Sequence, residues 1–463
     1  MASVNDRHPE YTAERVAEWE LMRDVFTGES AIKSKGEIHL PMPSGFTALP
    51  DKGAKAYASY KARAQVAEML APTIAGMMGI AHGVEIKIEL PAGLEYLWEN
   101  ADGKGTPLEA LHRRITRNLL LSGRYGLLAD APEAGGDPRL AGYAAETIIN
   151  WDTEFFVLDE SGKTRVGFAW SDVKRFRVLN IVKGRYWQDV YETDLASPAR
   201  SIAPAARGGK AMTRVPFAVA SSVDLDPAIR TPPLIGVARS VIANYQLSAD
   251  YRHQLYMSGQ ETLVVINGEA PEAVGAGACI AIQGAEGVTP DVKYVSPTCS
   301  GIDAHLKAME DNRTLAVMAG AKLLEQSDKV EESGKARSLR FRSETATLLS
   351  IVQSSCALLE MGLRHAAVIA GSAPEEVIVH APDTLAAGEL SPEDAAKLVD
   401  SWERGAISYD TLYAQLQKGG IASAERTAQE EFALIERERD AREFDDDEEE
   451  PGATPQQTPP RAA

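Results

Sequence analysis

The longest regular pattern of apolar residues lies between Lys335 and Gly371. No proline interrupts this stretch, and glycines border it at Gly334 and Gly371. Apolar residues recur in it at alternating steps of three and four, which predicts one buried stripe on a helix of roughly 55 Å. Two interpretations fit: a core helix of an ordinary globular protein, or a spine on which neighbouring segments and subunits pack. The stripe consists of Leu349, Val352, Cys356, Leu359, Leu363, Ala366 and Ala370.

Other helices are predicted where apolar residues recur at helical spacing between boundary signals. Thr106 is expected to cap one of them, and Pro72 is expected to kink another. Gly28 is expected to end the first helix. The predicted segments are 10–26, 55–76, 106–122, 236–257, 302–324, 391–402, 405–416 and 424–444.

Alternating apolar and charged residues predict a half-buried strand at 84–90, and the segments 37–41 and 376–380 are also expected to be extended. A series of short strands separated by turns predicts an antiparallel sheet. The series comprises 126–130, 146–151, 155–158, 165–170, 176–182 and 186–191. A second, smaller group lies between two helices, at 262–266, 279–282 and 292–295. The sequence therefore predicts an α+β fold with a small β-rich insert between two helices, followed by a loop and the long helix.

The length and charge of the chain narrow its class. Its 463 residues suffice for roughly two to four domains. We find no apolar run of the roughly 18–20 residues that a membrane span requires, and the first ten residues lack the apolar segment of a secretory signal. We therefore expect assembly in the cytoplasm and no membrane partner. The net charge of −19 argues against a protein that binds nucleic acid by neutralising many of its phosphates. A surface of the same sign as DNA would instead let the DNA move past without adhering.

Charged residues are concentrated in two places. Residues 425–450 contain thirteen acids and four bases, and the acidic and Pro/Gln-rich end that follows is expected to be disordered. Basic residues gather around the polar segment 326–334, beginning at Lys322. This basic group is either a solvated helix start or a contact point for phosphates. The candidate DNA contacts are Lys329, Lys335, Arg337, Arg340 and Arg342.

The sequence lacks the motifs of common enzyme classes. GxxxxGK[ST], HExxH and GxSxG are all missing, and Gly275–Gly277 lacks the third glycine of a dinucleotide fingerprint. The cysteines Cys279, Cys299 and Cys356 form no CxxC pair, which disfavours a disulfide scaffold or a zinc site. His365 is expected to be a helix-surface or packing residue. We therefore expect a protein that is not an enzyme and holds no cofactor or metal.

The order of these elements resembles that of the bacteriophage portal proteins, the head-to-tail connectors of tailed phages, and in particular a subgroup described only as a phage domain of unknown function. Near the start the resembling residues are Trp19, Arg23, Asp24, Gly28, Lys33, Leu40, Pro41, Tyr57, Tyr60, Arg63 and Ala64. In the middle they are Asp102–Gly105, Gly123–Gly126, Asp130, Ile149–Trp151, Val215–Phe217, Pro232–Leu234 and Ser248–Asp250. Late in the chain they are Ser333–Ala336 and Gly405–Ser408.

The resemblance implies a portal-like division of the chain into named parts. These are a wing at 1–235, a first stem helix at 236–258, a clip at 259–300, a second stem helix at 301–324, a tunnel loop and its root at 325–342, a spine helix at 343–374, a wing return and crown at 375–441, and the tail at 442–463. In this scheme the stripe residues serve spine and oligomer packing. The crown is shorter than in larger portals, which puts an extended barrel into the capsid in doubt.

The resemblance also implies a function and a set of partners. A ring of subunits, usually about twelve in this family, would surround a channel for packaging and ejecting double-stranded DNA without sequence preference. The implied partners are the large terminase subunit, the scaffold and major capsid proteins, and a tail adaptor. The implied location is the virion, after assembly in the host cytoplasm. The alternatives are another virion structural protein, such as a tail adaptor or minor head protein, and an oligomeric hydrolase with an unrecognised site.

Overall fold

The computed structural model divides the chain into two compact units, Met1–Leu385 and Ala386–Ala463. Helices and antiparallel sheets both occur, which confirms the predicted α+β class. The described residues are 3–130, 137–192, 197–259, 262–269, 271, 287–295, 301–321, 334–385, 392–419, 421–423 and 426–446.

The helices of the first unit match most of the predicted segments. The helix predicted at 236–257 is Ile235–Ser258, and the long helix predicted from Lys335 is Gly334–Ala370. The full set is α1 Ala13–Thr27, α2 Glu29–Ser34, α3 Ala54–Arg63, α4 Leu70–Ala81, α5 Leu108–Ser122, α6 Ile235–Ser258, α7 Ile302–Ala321 and α8 Gly334–Ala370.

The strands are short and all their pairings are antiparallel. They are β1 Ile88–Glu89, β2 Arg124–Asp130, β3 Arg139–Ala144, β4 Ile148–Asp152, β5 Phe155–Asp159, β6 Gly162–Val166, β7 Ala169–Val173, β8 Phe176–Val182, β9 Arg185–Tyr191, β10 Arg200–Ile202, β11 Ala205–Ala206, β12 Lys210–Ala211, β13 Phe217–Ser221, β14 Thr262–Ile266, β15 Asp291–Val295 and β16 Ile378–Val379. The two larger sheets have the orders β13-β2-β3 and β10-β9-β8-β5-β4, and the other pairs are β1-β16, β6-β7, β11-β12 and β14-β15.

Helix α8 forms the centre of the core of the first unit. It packs against α5 and against the sheet β13-β2-β3. Every residue of the central strand β2 is buried, as expected for a strand that is paired on both edges and covered by helices. Six of the seven stripe residues are buried, and Leu349 is partly buried against the same core. The predicted apolar stripe is therefore the face that α8 turns toward its own chain.

Helix α1 also packs against α5. Trp19 is buried, and its indole N–H donates a 3.0 Å hydrogen bond to the carbonyl of Ser122 at the end of α5. A buried indole requires such a partner, so the bond fixes α1 against α5. α5 ends at Gly123, whose φ of +71° lies in the left-handed region that favours glycine.

Three predictions in the first hundred residues are wrong in detail. The segment 37–41 is not extended, because a 3₁₀ turn spans Gly36–Ile38. The helix predicted at 55–76 breaks at residues 64–69, where the Gln65 N–H donates to Ser248 Oγ at 2.9 Å instead of to a helical carbonyl. Pro72 therefore makes no kink, since it lies in the first turn of α4, where a missing N–H is tolerated.

Three further differences concern a cap, a turn and the length of a strand. Thr106 does not cap α5, because its hydroxyl donates to Asp102 Oδ2 at 2.7 Å and Pro107 takes the cap position. The segment 165–170, predicted as one strand, contains the turn of the hairpin β6–β7. Of the strand predicted at 84–90 only β1 is paired. The strand predicted at 279–282, Ser391, and the tail beyond residue 446 lie outside the described residues.

The second unit contains three helices in its described part. They are α9 Pro392–Glu403, α10 Tyr409–Lys418 and α11 Ala428–Asp446. Ser408 caps α10 by accepting a hydrogen bond from the Thr411 N–H at 3.2 Å. Tyr409 joins the three helices, since its ring contacts Trp402 of α9 and Phe432 of α11.

One segment, Thr345–Ala370 of α8, is long and apolar enough to cross a membrane by length and composition. The expectation that the chain contains no such run is therefore wrong by this criterion. More than half of the relevant window, 56%, is buried inside the protein, as for the core helix of a soluble protein.

Candidate assembly and DNA-facing surface

Helices α6 and α7 form an antiparallel pair with the hairpin β14–β15 at one end. A Cβ at Gly236, near the start of α6, would lie 3.2 Å from Ala319 Cβ, near the end of α7. At the opposite end, a Cβ at Gly301 would lie 3.4 Å from the side-chain amide of Gln254. At the standard rise the two helices are roughly 36 and 30 Å long. We call this arrangement of α6, α7 and β14–β15 the helix-pair arm.

Only the end of the arm that holds the start of α6 and the end of α7 is part of the hydrophobic core. The buried residues of α6 end at Ala249, and no residue from Asp250 to Ser258 is buried. In α7 no residue of 302–315 is buried. Beyond these positions the pair is covered by its own chain only in part, mainly where α6 meets α3, so the outer part of the arm projects from the first unit.

Apolar side chains are exposed along the arm. Leu315 and Met318, three residues apart in α7, are 55% and 58% exposed and share one face. The exposed apolar residues of the arm are Leu255, Tyr256, Met257, Ile266, Val288, Tyr294, Val295, Leu306, Leu315, Val317 and Met318. An apolar surface of this extent on a projecting element is typical of a contact with other subunits or proteins.

The second half of α6 is held by polar and aromatic contacts to α3. The Tyr60 hydroxyl donates to Asp250 Oδ1 at 2.6 Å, and burial together with this carboxylate raises the pKa of Tyr60. The Arg63 guanidinium carbon lies 4.0 Å from the ring centroid of Tyr256. The rings of Tyr60 and His253 meet edge to face at 5.6 Å. These contacts run from Asp250 to Tyr256, over the last turns of α6, so they fix the direction of the arm.

The candidate DNA contacts are only partly described. Lys329 lies outside the described residues, as does Lys322. Lys335, Arg337, Arg340 and Arg342 all lie in the first turns of α8, whose backbone is helical there. Arg337 and Arg340 are three residues apart, a spacing that a helix brings to one face. Their contact with DNA stays a prediction.

The stripe residues occupy the core of one chain. Cys356, Leu359 and Leu363 are fully or almost fully buried. Burial raises the pKa of the Cys356 thiol to about 12, which makes it an unreactive apolar side chain. Their part in packing between subunits stays a prediction.

One buried cluster combines groups that occur in nucleophilic sites. His112 Nε2 lies 2.9 Å from Ser355 Oγ and 3.7 Å from Cys356 Sγ, and Thr116 donates to the same Ser355 oxygen at 3.0 Å. Burial lowers the pKa of His112 to about 3. A neutral imidazole with no access to solvent serves here as a hydrogen-bonded core residue. Among the described residues no group of three His, Cys, Asp or Glu side chains is placed to hold a metal ion.

One protein family model matches the part of the chain that forms the arm and α8. A family model described as a domain of unknown function, DUF4055, matches residues 233–369, which include α6, α7 and most of α8. Among curated proteins none matches the chain. The family has no stated function, and the match covers less than half of the chain.

Three similar solved structures are chains of gene transfer agent (GTA) particles. A chain from the neck of the native particle, computed with C12 symmetry, is 16% identical with a TM-score of 0.36, and covers 74% of this chain and 88% of its own. One from the native virion is 16% identical with a TM-score of 0.40, at 75% and 88% coverage. One from the neck of the empty particle, computed with C6 symmetry, is 14% identical with a TM-score of 0.38, at 82% and 94% coverage. Because identities and TM-scores are this low, we base the function on this chain's own residues.

Proposed function

We propose that this chain is a structural subunit of a phage-like particle, and specifically a portal protein that forms a ring around double-stranded DNA. The observation that carries the proposal is the helix-pair arm. Two antiparallel helices leave the core, expose apolar side chains along their length and carry a β-hairpin at the tip. In a ring, the arms of neighbouring subunits would cover these surfaces and line a central channel.

The proposal assigns each part of the portal scheme to an element of the fold. In this proposal α6 and α7 are the stem helices, β14–β15 is the described part of the clip, and α8 is the spine that joins the stem to the wing. The sheets, together with α1–α5, form the wing. The basic start of α8, with Arg337 and Arg340, would then face the channel and contact phosphates.

The proposed role is non-enzymatic. The chain would conduct DNA during packaging and ejection and bind the terminase motor, the scaffold and capsid proteins and a tail adaptor, with the clip hairpin as the docking element. A strongly acidic chain with one narrow basic zone suits this role, because DNA can then slide past with few fixed contacts. The particle would be its final location, after assembly in the host cytoplasm.

Electron microscopy of the purified full-length chain, with light scattering for mass, tests the proposal. We expect closed rings of roughly twelve subunits with a central hole wide enough for duplex DNA. A chain that assembles only on a partner protein would instead fit a tail adaptor or minor head protein. A compact dimer without a channel, active on a hydrolase substrate, would overturn the structural role altogether.

A further inference from the structure

The hairpin β6–β7 stands out from the first unit with its side chains exposed. All residues of 161–172 are exposed, and within the described part of the chain β6 and β7 pair only with each other. Phe168 in the turn is fully exposed, and Val166 and Trp170 are 62% and 66% exposed. A two-stranded hairpin has little stability of its own, so an apolar tip on one indicates that it contacts another surface.

One face of the hairpin combines an aromatic ring with positive charge. Arg165 pairs with Trp170, and Lys163 pairs with Asp172. Directly paired residues and every second residue of a strand share a face, so Lys163, Arg165 and Trp170 lie on the same side. Neither Lys163 nor Arg165 forms an ion pair with any described residue. Asp172 lies on this face as well, opposite Lys163, so the face carries two cations and one carboxylate beside an exposed indole, a net charge of +1.

A cleft of about 590 Å³ lies on the same unit, within the usual size range of binding pockets. Trp151, Phe156 and Phe217 contribute aromatic lining. The His8 ring stacks on Trp151 with 3.9 Å between the ring centroids. Phe156 and Phe217 meet edge to face at 4.9 Å, so the aromatic lining is held in place.

The charged groups that line the cleft are acidic. Glu10, Asp152 and Asp226 line it. Asp226 pairs with Arg230 at 3.5 Å, and the Arg124 guanidinium carbon lies 4.0 Å from the Trp151 ring centroid, so Glu10 and Asp152 are the acids that remain for a partner. Asp152 is exposed, and among the described residues its carboxylate accepts hydrogen bonds only from the neighbouring Thr153. His365 adds no positive charge at neutral pH, because burial and the nearby Arg214 lower its pKa to about 4. The cleft thus combines aromatic rings with negative charge.

We propose that the β6–β7 hairpin of one copy of this chain inserts into the cleft of a second copy. Trp170 would contact the aromatic lining, and Arg165 and Lys163 would face Asp152 and Glu10. The hairpin is cationic and aromatic, whereas the cleft is anionic and aromatic, so the two surfaces are complementary in charge. The contact joins two different surfaces, and contacts of this head-to-tail kind close into rings when the rotation allows.

The two surfaces lie at opposite ends of β5. Phe155, the first residue of β5, follows the cleft residue Thr153, whereas Asp159, its last residue, leads into the hairpin. The rise of a strand separates these ends by roughly 13 Å. A hairpin that leaves from the far end of β5 is poorly placed to fill the cleft of its own chain. The inference rests on the proposed ring, since it names a contact through which neighbouring subunits would meet.

Photo-crosslinking of the full-length chain tests where the hairpin lies. A photo-reactive amino acid at Phe168 should leave the fold intact, because that side chain has no contact to lose. In an equal mixture of light and heavy isotope-labelled chains, we expect crosslinks between copies, from position 168 to peptides covering 151–156 or 225–228. The same amino acid at Lys183, in the exposed turn between β8 and β9, is the matched control and should give none of them. Crosslinks from 168 to another surface, to added DNA, or only within one chain would overturn the inference.

Exchanging the charges of Arg165 and Asp152 tests the proposed contact separately from ring formation. Arg165→Glu or Asp152→Arg alone should weaken assembly about tenfold or more, because each places like charges opposite one another. The two changes in one chain should restore most of the assembly, whereas Lys183→Glu should change nothing. Full assembly of both single variants would reject this contact while leaving the ring proposal standing. A wild-type chain that stays monomeric at every concentration would reject both.

Discussion

Leu127 of β2 fills the space beside Gly362 of α8. A Cβ at Gly362 would overlap Leu127 Cδ2 and would lie 3.1 Å from its Cγ and 3.6 Å from Leu140 Cδ2. Both leucines are fully buried, so neither can move aside into solvent. Glycine at this helical position therefore serves close packing of α8 on the sheet, not unusual backbone geometry.

Gly362→Ala should destabilise the first unit. In an open helix position this change gains roughly 0.5–1 kcal/mol, but overpacking of a filled core costs about 1–3 kcal/mol, so we expect a net loss of about 1 kcal/mol. Urea unfolding followed by circular dichroism measures it. Gly79→Ala in α4 is the matched control, because nothing lies within 4 Å of its Cβ position and it should stabilise. Equal gains from both variants would contradict the close packing.

Leu315→Asp together with Met318→Asp should prevent assembly without unfolding the chain. Both side chains are more than half exposed, so we expect the free energy of unfolding to change by no more than about 0.5 kcal/mol each. A buried contact between neighbouring arms would not accept two carboxylates. Sedimentation velocity measures the assembly. Val368→Asp, an exposed position on α8, is the control and should assemble normally. Intact rings in the double variant would show that this face is not part of the contact.

The chain should lose stability as the pH falls below about 6.5, in part through His112. In the folded state burial lowers the pKa of His112 to about 3, whereas an unfolded histidine titrates near 6.5. Between these values the unfolded chain binds the additional proton, so stability rises with pH and is lost on acidification. The contribution is roughly 1.4 kcal/mol per pH unit over that range.

Denaturant midpoints from pH 4 to 7 for wild type and His112→Gln measure this effect. The variant should be less stable at pH 7 and show a shallower dependence on pH, because the group that resists protonation is gone. His380→Gln is the control, since His380 is exposed and its ring pairs with Glu89 at the surface. An unchanged pH slope in His112→Gln would mean that His112 is not kept neutral by burial.

Arg337→Glu together with Arg340→Glu should impair packaging or retention of DNA while rings still form. The reason is the loss of phosphate contacts at the basic start of α8, which should also reduce the salt dependence of DNA binding. DNA per particle and the slope of log affinity against log salt concentration are the measurements. Arg113→Glu on α5, exposed and far along the chain from this zone, controls for net charge. Normal packaging in the double variant would refute the assignment.

The sequence predicted the long elements well, because their signals are local and repeated. The stripe from Val352 to Ala370 marked the buried face of α8, and the strand at 176–182 has the predicted limits. The helix predicted at 55–76 failed because the break at Gln65 depends on Ser248, a residue distant in the chain. Local spacing cannot register a hydrogen bond of that kind.

The candidate sites were harder to predict than the fold. The basic residues near Arg337 are visible in the sequence, but their partners are not part of this chain. The acidic cleft was missed because its lining comes from segments far apart, including Glu10, Asp152 and Asp226. The hairpin was missed because Gly167 and Phe168 were included in one continuous strand. The available signal was the glycine at position 167, because glycine favours hairpin turns; in the structure its φ is +63°.

The lack of buried residues in the outer half of the arm links the stability of this region to assembly. No residue of Asp250–Ser258 or of the first turns of α7 is buried in a single chain, so the backbone amide hydrogens there should exchange with solvent faster than those of the core helices. Neighbouring copies would slow that exchange, and the stability of the arm would then rise with protein concentration. Assembly would thus complete the folding of the arm, which in a free subunit would be only partly stable.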